Sequence, residues 1–159
     1  MTAAADRGGE GPVKQTSNPL AGFAPYARAG DLVFFSGIVP VDGERKLVIS
    51  GYDDLPEDAR EAAGMTGMLS LDLKQGPVAA QSWWIFHEIE GHLHRLGGSL
   101  SDVVHLTQFL VDVDDFPVYD RVRASFFDEV PASTLVGVSE LMPSAVVRVE
   151  VQAIAHLPA

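Results

Sequence analysis

The apolar residues of this chain follow two rhythms. Val147, Val149, Val151 and Ala153 alternate with Arg148, Glu150 and Gln152. Such alternation predicts a strand with one face on a core, the other presenting a cation, a carboxylate and an amide. The run Asp31 to Val41 is also β-rich but is interrupted at Ser36-Gly37, where a bulge or a close backbone approach is expected. Gly43 turns it back into Lys46 to Ser50, predicting a hairpin. Asp102 to Asp112 alternates as a further strand, and the stretch from Pro131 leads into the last one.

The second rhythm is helical. Val78, Ile85, Phe86, Ile89, Leu93 and Leu96 form one stripe, predicting a long helix from about Pro77 to Leu96 that Gly97-Gly98 ends. Trp84 lies nearly opposite that stripe, in line with Glu88, His92 and Arg95, and is expected to be covered or at an interface. Asp114 or Asp115 caps a second helix through about Glu129, which buries Phe116, Tyr119, Val122 or the stem of Arg123, Phe126 and Phe127.

Between these elements, residues 51–76 read as an insertion. Asp53-Asp54-Leu55-Pro56 starts a short helix that Gly64 stops. Tyr52, Leu55, Met65, Met68 and Leu69 are too apolar for an idle loop, and are expected to pack over Trp84 or cap a neighbouring cleft. Residues 1–17 are small, polar and Gly-rich and read as a disordered arm; residues 18–159 form one domain. The order β-β-β-α-β-α-β-β describes an α+β domain with two helices packed on one face of a sheet.

Composition narrows the chemistry. The chain has 159 residues and no cysteine, which excludes disulfides, thiolate metal sites and cysteine nucleophiles. Its formal net charge of -11 argues against nucleic acid and anionic membrane as partners, because phosphate binding needs clustered Lys and Arg. No apolar run approaches the roughly 18 residues of a membrane span. The first residues lack a hydrophobic signal core, so a cytoplasmic location is expected.

Several local motifs fail on spacing. His87-Glu88-Ile89-Glu90-Gly91-His92 resembles a zinc-protease helix, but its histidines are five apart rather than four. At about 100° per residue they diverge around the helix, so no metal site is expected. Glu88 with His92 and Glu90 with His94 read as surface pairs. His105 sits mid-strand and reads as a sheet histidine. Gly137-Val138-Ser139-Glu140-Leu141 lacks the final glycine of a nucleophile elbow. There is no Gly-rich phosphate loop, and no cofactor is called for.

An ensemble of short features carries a resemblance. Pro25-Tyr26, Phe35-Ser36-Gly37 with Pro40, Val78-Ala79-Ala80-Gln81, Gly97-Gly98 before Asp102-Val103-Val104, Asp115-Phe116, Phe126-Phe127, Pro131-Ala132 and Val149 to Ala155 occur in an order and spacing similar to the RidA family. The likeness spans residues 18–156. It implies a chorismate-mutase-like fold assembled as a homotrimer, with small-molecule clefts at the subunit interfaces lined by the polar face of the last strand. Archetypal members hydrolyse enamines and imines to ketoacids and ammonia; some relatives are recorded as endoribonucleases or translation inhibitors.

Carried over by position, the resemblance makes Glu150 the catalytic carboxylate, with Tyr26, Ser36, Gly37, Asp120, Ser133 and Arg148 as ligand-binding candidates. It also exposes departures. The deaminase signature Pro-Ala-Arg-Ser reads Pro131-Ala132-Ser133-Thr134 here, so a serine stands in place of the carboxylate-clamping arginine. Asp120 replaces an asparagine, and Leu135 a small polar or thiol residue. Losing a bidentate guanidinium removes the strongest carboxylate anchor. Two readings remain: a deaminase-type hydrolase of imine-like substrates, and a non-catalytic binding trimer. A ribonuclease is a distant third. Arg148 pairs with Glu150 or an outer carboxylate, or else supplies a displaced positive charge.

Overall fold

The computed structural model describes residues 22–158; the arm at 1–17 and Asn18-Pro19 lie outside them. Five strands form the main sheet in the order β1 (Tyr26–Ala29), β2 (Leu32–Phe35), β7 (Val149–His156), β5 (Val103–Leu110), β6 (Ala132–Gly137). Neighbours are antiparallel except β5 and β6, which run parallel. A parallel pair needs a crossover, and α3 (Phe116–Phe126) supplies it.

β7 follows the expected alternation. Val149, Val151, Ala153 and Ala155 are fully buried against the helices. The long helix α2 (Leu69–Arg95) lays Val78, Ile85, Phe86, Ile89 and Leu93 on this face, and α3 adds Tyr119. Both helices therefore cover one side of the sheet. The other side, with Leu32, Phe34 and Val136 each more than one-third exposed, carries no second layer among the described residues.

Several expectations change. The hairpin from Asp31 to Ser50 divides: Leu32–Phe35 joins the main sheet beside an unforeseen strand, β1. Only Val41–Asp42 (β3) pairs with Leu47–Val48 (β4), in a separate two-stranded ribbon. Gly30, at φ 60°, makes the tight β1–β2 turn that the apolar pattern could not reveal. α2 begins at Leu69 and runs through Pro77; Pro77 removes one N–H from a helix that tertiary packing otherwise sustains. Residues preceding the helix are held by Asp72, whose carboxylate accepts from the Thr66 and Gly67 N–H groups at 2.9 and 2.8 Å.

Trp84 is partly covered by its own chain. Its Nε1 donates to the Val41 carbonyl at 3.3 Å, and the Arg45 guanidinium lies 5.8 Å from its ring centre. Segment 51–76, which contains the short helix α1 (Glu57–Arg60), is also integrated. Tyr52, Leu55, Ala59 and Ala63 build a second cluster with Ile49, Ala79, Ala80 and Val122, against which Met65, Trp83 and Trp84 pack. Met68 and Leu69, expected to pack, are instead exposed, as is Leu73. Phe116, expected to be buried, is 37% exposed.

Gln81 explains why one short motif needs an amide. Fully buried in α2, it donates to the Ile49 and Val146 carbonyls at 2.9 and 2.8 Å and accepts from Arg148 N at 2.8 Å. It thereby ties the ribbon's exit to the entrance of β7. Gln81→Leu leaves two carbonyls and an N–H without these partners, at a cost of about 3 kcal/mol. The expected melting-temperature loss is about 6–12 °C; an unchanged melt would refute this role.

Candidate ligand-binding site

The open face of β7 carries Glu150. Its register partner on β5 is Phe109, and their side chains share the face opposite the helices. Ile38 and Val151 exchange backbone hydrogen bonds of 2.8 and 3.1 Å, holding Ser36-Gly37 alongside Glu150. A Cβ at Gly37 would collide with Glu150 Oε1. The close approach expected at Ser36-Gly37 is therefore the packing of the carboxylate over the glycine backbone. Burial pushes the Glu150 pKa above its ordinary 4.5. Its side chain has no hydrogen-bond partner among the described residues, and burial is the sole cause of the shift. A carboxyl so placed holds a proton more readily than a solvated one and can return it to a bound group.

The pKa shift has a stability consequence. The folded state binds the Glu150 proton more tightly than the unfolded chain does, so the penalty is absent below pH 4.5. It grows as pH rises and is complete above the raised folded value. Half-exposure limits it to under about 1 kcal/mol. Glu150→Gln should therefore melt above wild type at pH 7–8, by no more than about 2–4 °C, and level with it near pH 4. Parallel melting curves across that range would count against a strained carboxylate.

The remaining candidates separate. Ser36 donates its hydroxyl to the Ala24 carbonyl at 2.6 Å, so towards a ligand it can only accept. Tyr26 pairs in register with Phe35 and packs its ring 6.1 Å from that ring, on the helix-covered side. Arg148 points at Asp115, with Nε and Nη2 at 2.9 and 2.5 Å from Oδ2, and Asp112 lies 4.0 Å away. It pairs with an outer carboxylate and supplies no charge to Glu150.

Ser133 and Asp120 meet at a third residue, Arg123. Arg123 is 8% exposed; its Nη2 bonds Asp120 Oδ1 at 2.5 Å and its Nη1 bonds Gln108 Oε1 at 2.7 Å. Nη1 also lies 3.5 Å from Ser133 Oγ. The buried Tyr119 hydroxyl donates to the same Gln108 oxygen, and Gln108 Nε2 reaches the Thr134 carbonyl at 3.3 Å. Burial raises the Tyr119 pKa, which keeps the hydroxyl protonated. The guanidinium lies 6.0 Å from the Phe116 ring and 5.7 Å from that of Tyr119, while its buried Nε finds no acceptor.

Sequence reasoning registered Arg123 only as a buried stem. The available signal was an arginine one position from Val122 on the inward face of α3, since such a charge requires an internal acceptor. Gln108, buried mid-strand in β5, is that acceptor.

These groups do not converge within one chain. Ser133 pairs with Leu106, a residue of the helix-covered face, whereas Glu150 pairs with Phe109 on the open face. The two candidate sets therefore lie on opposite sides of the sheet. A depression of about 590 Å³ lined by Glu57, Asp58, Arg60, Glu61 and Met65 contains neither set.

Comparison with known proteins places this geometry. The Endoribonuclease L-PSP family model matches residues 50–157. The 3-aminoacrylate deaminase RutC of Acinetobacter baylyi is 30% identical over 143 residues, covering 89% of this chain and 92% of that protein. A Klebsiella pneumoniae structure carrying a provisional endoribonuclease name superposes with a TM-score of 0.83 at 45% identity, covering 86% of this chain and all of that one. RidA from an Antarctic Psychrobacter gives 0.62 at 25% identity over 86% and 89% of the two chains. The mixed sheet with both helices on one face is the fold of these structures.

Proposed function

We propose, from the premise that this chain belongs to the RidA (endoribonuclease L-PSP) family, that it is a homotrimeric small-molecule protein hydrolysing imine or enamine metabolites in intersubunit clefts. The observation that carries the reading is Glu150, half-buried over Gly37 and without an internal partner. Assembly is supported by the bare sheet face and by the separation of Glu150 from Ser133, which only a second copy could bring together. Trp84, already partly covered by its own chain, does not by itself call for a neighbouring copy.

In the proposed step, protonated Glu150 gives its proton to the imine nitrogen. Water adds to the carbon, and the carboxylate takes a proton from that water. Return of the proton to nitrogen, with loss of the hydroxyl proton to the carboxylate, breaks the C–N bond, so R₂C=NH and H₂O become R₂C=O and NH₃ and Glu150 is protonated again. The test presents imines, made in situ by an amino-acid or amine oxidase, to purified protein and follows ammonia. Light scattering should give three times the chain mass. Glu150→Gln should abolish catalysed ammonia release and leave the trimer intact. A monomer at micromolar concentration, or equal activity in Glu150→Gln, would overturn the proposal.

Ser133 favours a second reading. With no guanidinium at that position, the same clefts would bind a ligand without turning it over. Ligand-dependent stabilisation with no ammonia from any imine would establish this alternative.

A further inference from the structure

We infer that the corner formed by Ser133 and Asp120, and fixed from beneath by Arg123, selects ligands ending in an uncharged carbamoyl group, such as an amide or ureide. The inference rests on the proposed cleft being the ligand site, and it concerns what that cleft accepts.

Arginine has donors and no acceptor, so at its contact with Arg123 the Ser133 oxygen can only accept. The Ser133 hydroxyl proton has no other partner among the described residues and is available to a ligand. Asp120 spends Oδ1 on Arg123 and leaves Oδ2 as an outward acceptor. The Asp120 side chain is 43% exposed, whereas that of Arg123 is 10% exposed. The surface therefore shows one donor beside one acceptor, held by the two ends of a single planar guanidinium.

Arg123 does not act as a relocated carboxylate clamp. Its terminal nitrogens already serve Gln108, Ser133 and Asp120, and its Nε is buried beyond the reach of a ligand. A carboxylate offers two acceptors and a negative charge; it would satisfy Ser133 but face the Asp120 carboxylate. The edge of a carbamoyl group offers a carbonyl oxygen to Ser133 and an N–H to Asp120. Complementarity of this kind sets specificity by leaving the wrong ligand with unpaired or repelling groups.

The probes are crotonamide and crotonate, which share a planar skeleton and differ in this end group. Binding to the intact wild-type oligomer would be followed by chemical shifts of the Ser133 and Leu135 backbone amides. Crotonamide is expected to bind at least about tenfold more tightly than crotonate, the ratio that 1.4 kcal/mol represents. Asp120→Asn removes the repulsion and should collapse the ratio through tighter crotonate binding. Ser133→Ala should weaken both probes, with a melting temperature near wild type for this exposed site. Equal or tighter crotonate binding by wild type overturns the inference, as does a ratio unmoved by Asp120→Asn. Shifts confined to residues away from β6, or no binding of either probe, also overturn it. Ammonia release from imines is read separately, so loss of the carbamoyl preference and loss of the deaminase reading are distinguishable.

Discussion

Ser133→Arg combined with Arg123→Gln is expected to raise ammonia release from small α-imino acids roughly ten- to a hundredfold over wild type. The gain comes from restoring a charge-assisted clamp, since a hydrogen bond to a charged group contributes about 1.5–3 kcal/mol and 1.4 kcal/mol is about a factor of ten. The second substitution is required by the structure. Arg123 Nη1 lies 3.5 Å from Ser133 Oγ, so an arginine at 133 alone would meet a like charge in a partly buried site. Ser133→Arg by itself should therefore gain less than the pair. Glu150→Gln in the double background should remove the gain without changing the mass in solution. High wild-type activity on these substrates would refute the charge argument. No response in the double variant would instead assign exclusion to shape, with Leu135 or segment 51–76 closing the cleft.

Gly37→Ala in the same background should lower that activity about a hundredfold, as expected when a reacting group is displaced by about 1 Å. The added Cβ collides with Glu150 Oε1, the far end of a flexible side chain, so the carboxylate swings aside and the backbone stays. Loss of stability should be small, about 2–4 °C in melting temperature. A carboxylate moved towards solvent should also titrate lower than in wild type, which NMR of the Glu150 side chain would read. Full activity in Gly37→Ala would show that the close approach has no part in the chemistry. Collapse of the fold would show that the Ser36-Gly37 crossing is structural first.

Much of the architecture follows from residue order alone. β7 must alternate because the apolar set Val149, Val151, Ala153 and Ala155 can bury only on one face, which leaves Glu150 and Gln152 on the other. The α2 stripe and the Gly97 stop are equally local, Gly97 having a φ of 81°. Glycine at 37 was legible as a close approach, although the identity of the approaching group was not. The β1–β2 hairpin is not legible in the sequence because Tyr26-Ala27-Arg28-Ala29 has no strand-like pattern; it pairs because β2 offers it an edge. α2 starts eight residues before Pro77 because the proline's local penalty is overridden by the cluster built around Tyr52 and Ile49.

The candidate site divides along the same line. Residue identity determined what was missing, an arginine at position 133, and what remained, Glu150. Tertiary structure alone decided where the charges went. Arg148 and Asp115 are 33 residues apart, and Arg123 and Gln108 are 15 apart. Spacing along the chain carries no signal for such pairs, because they form only when a strand and a helix are packed together. Tertiary structure also set Ser133 and Glu150 on opposite sides of the sheet. A strand's side-chain period of two assigns each residue a face relative to its own neighbours, but only the register between strands relates the faces of β6 and β7.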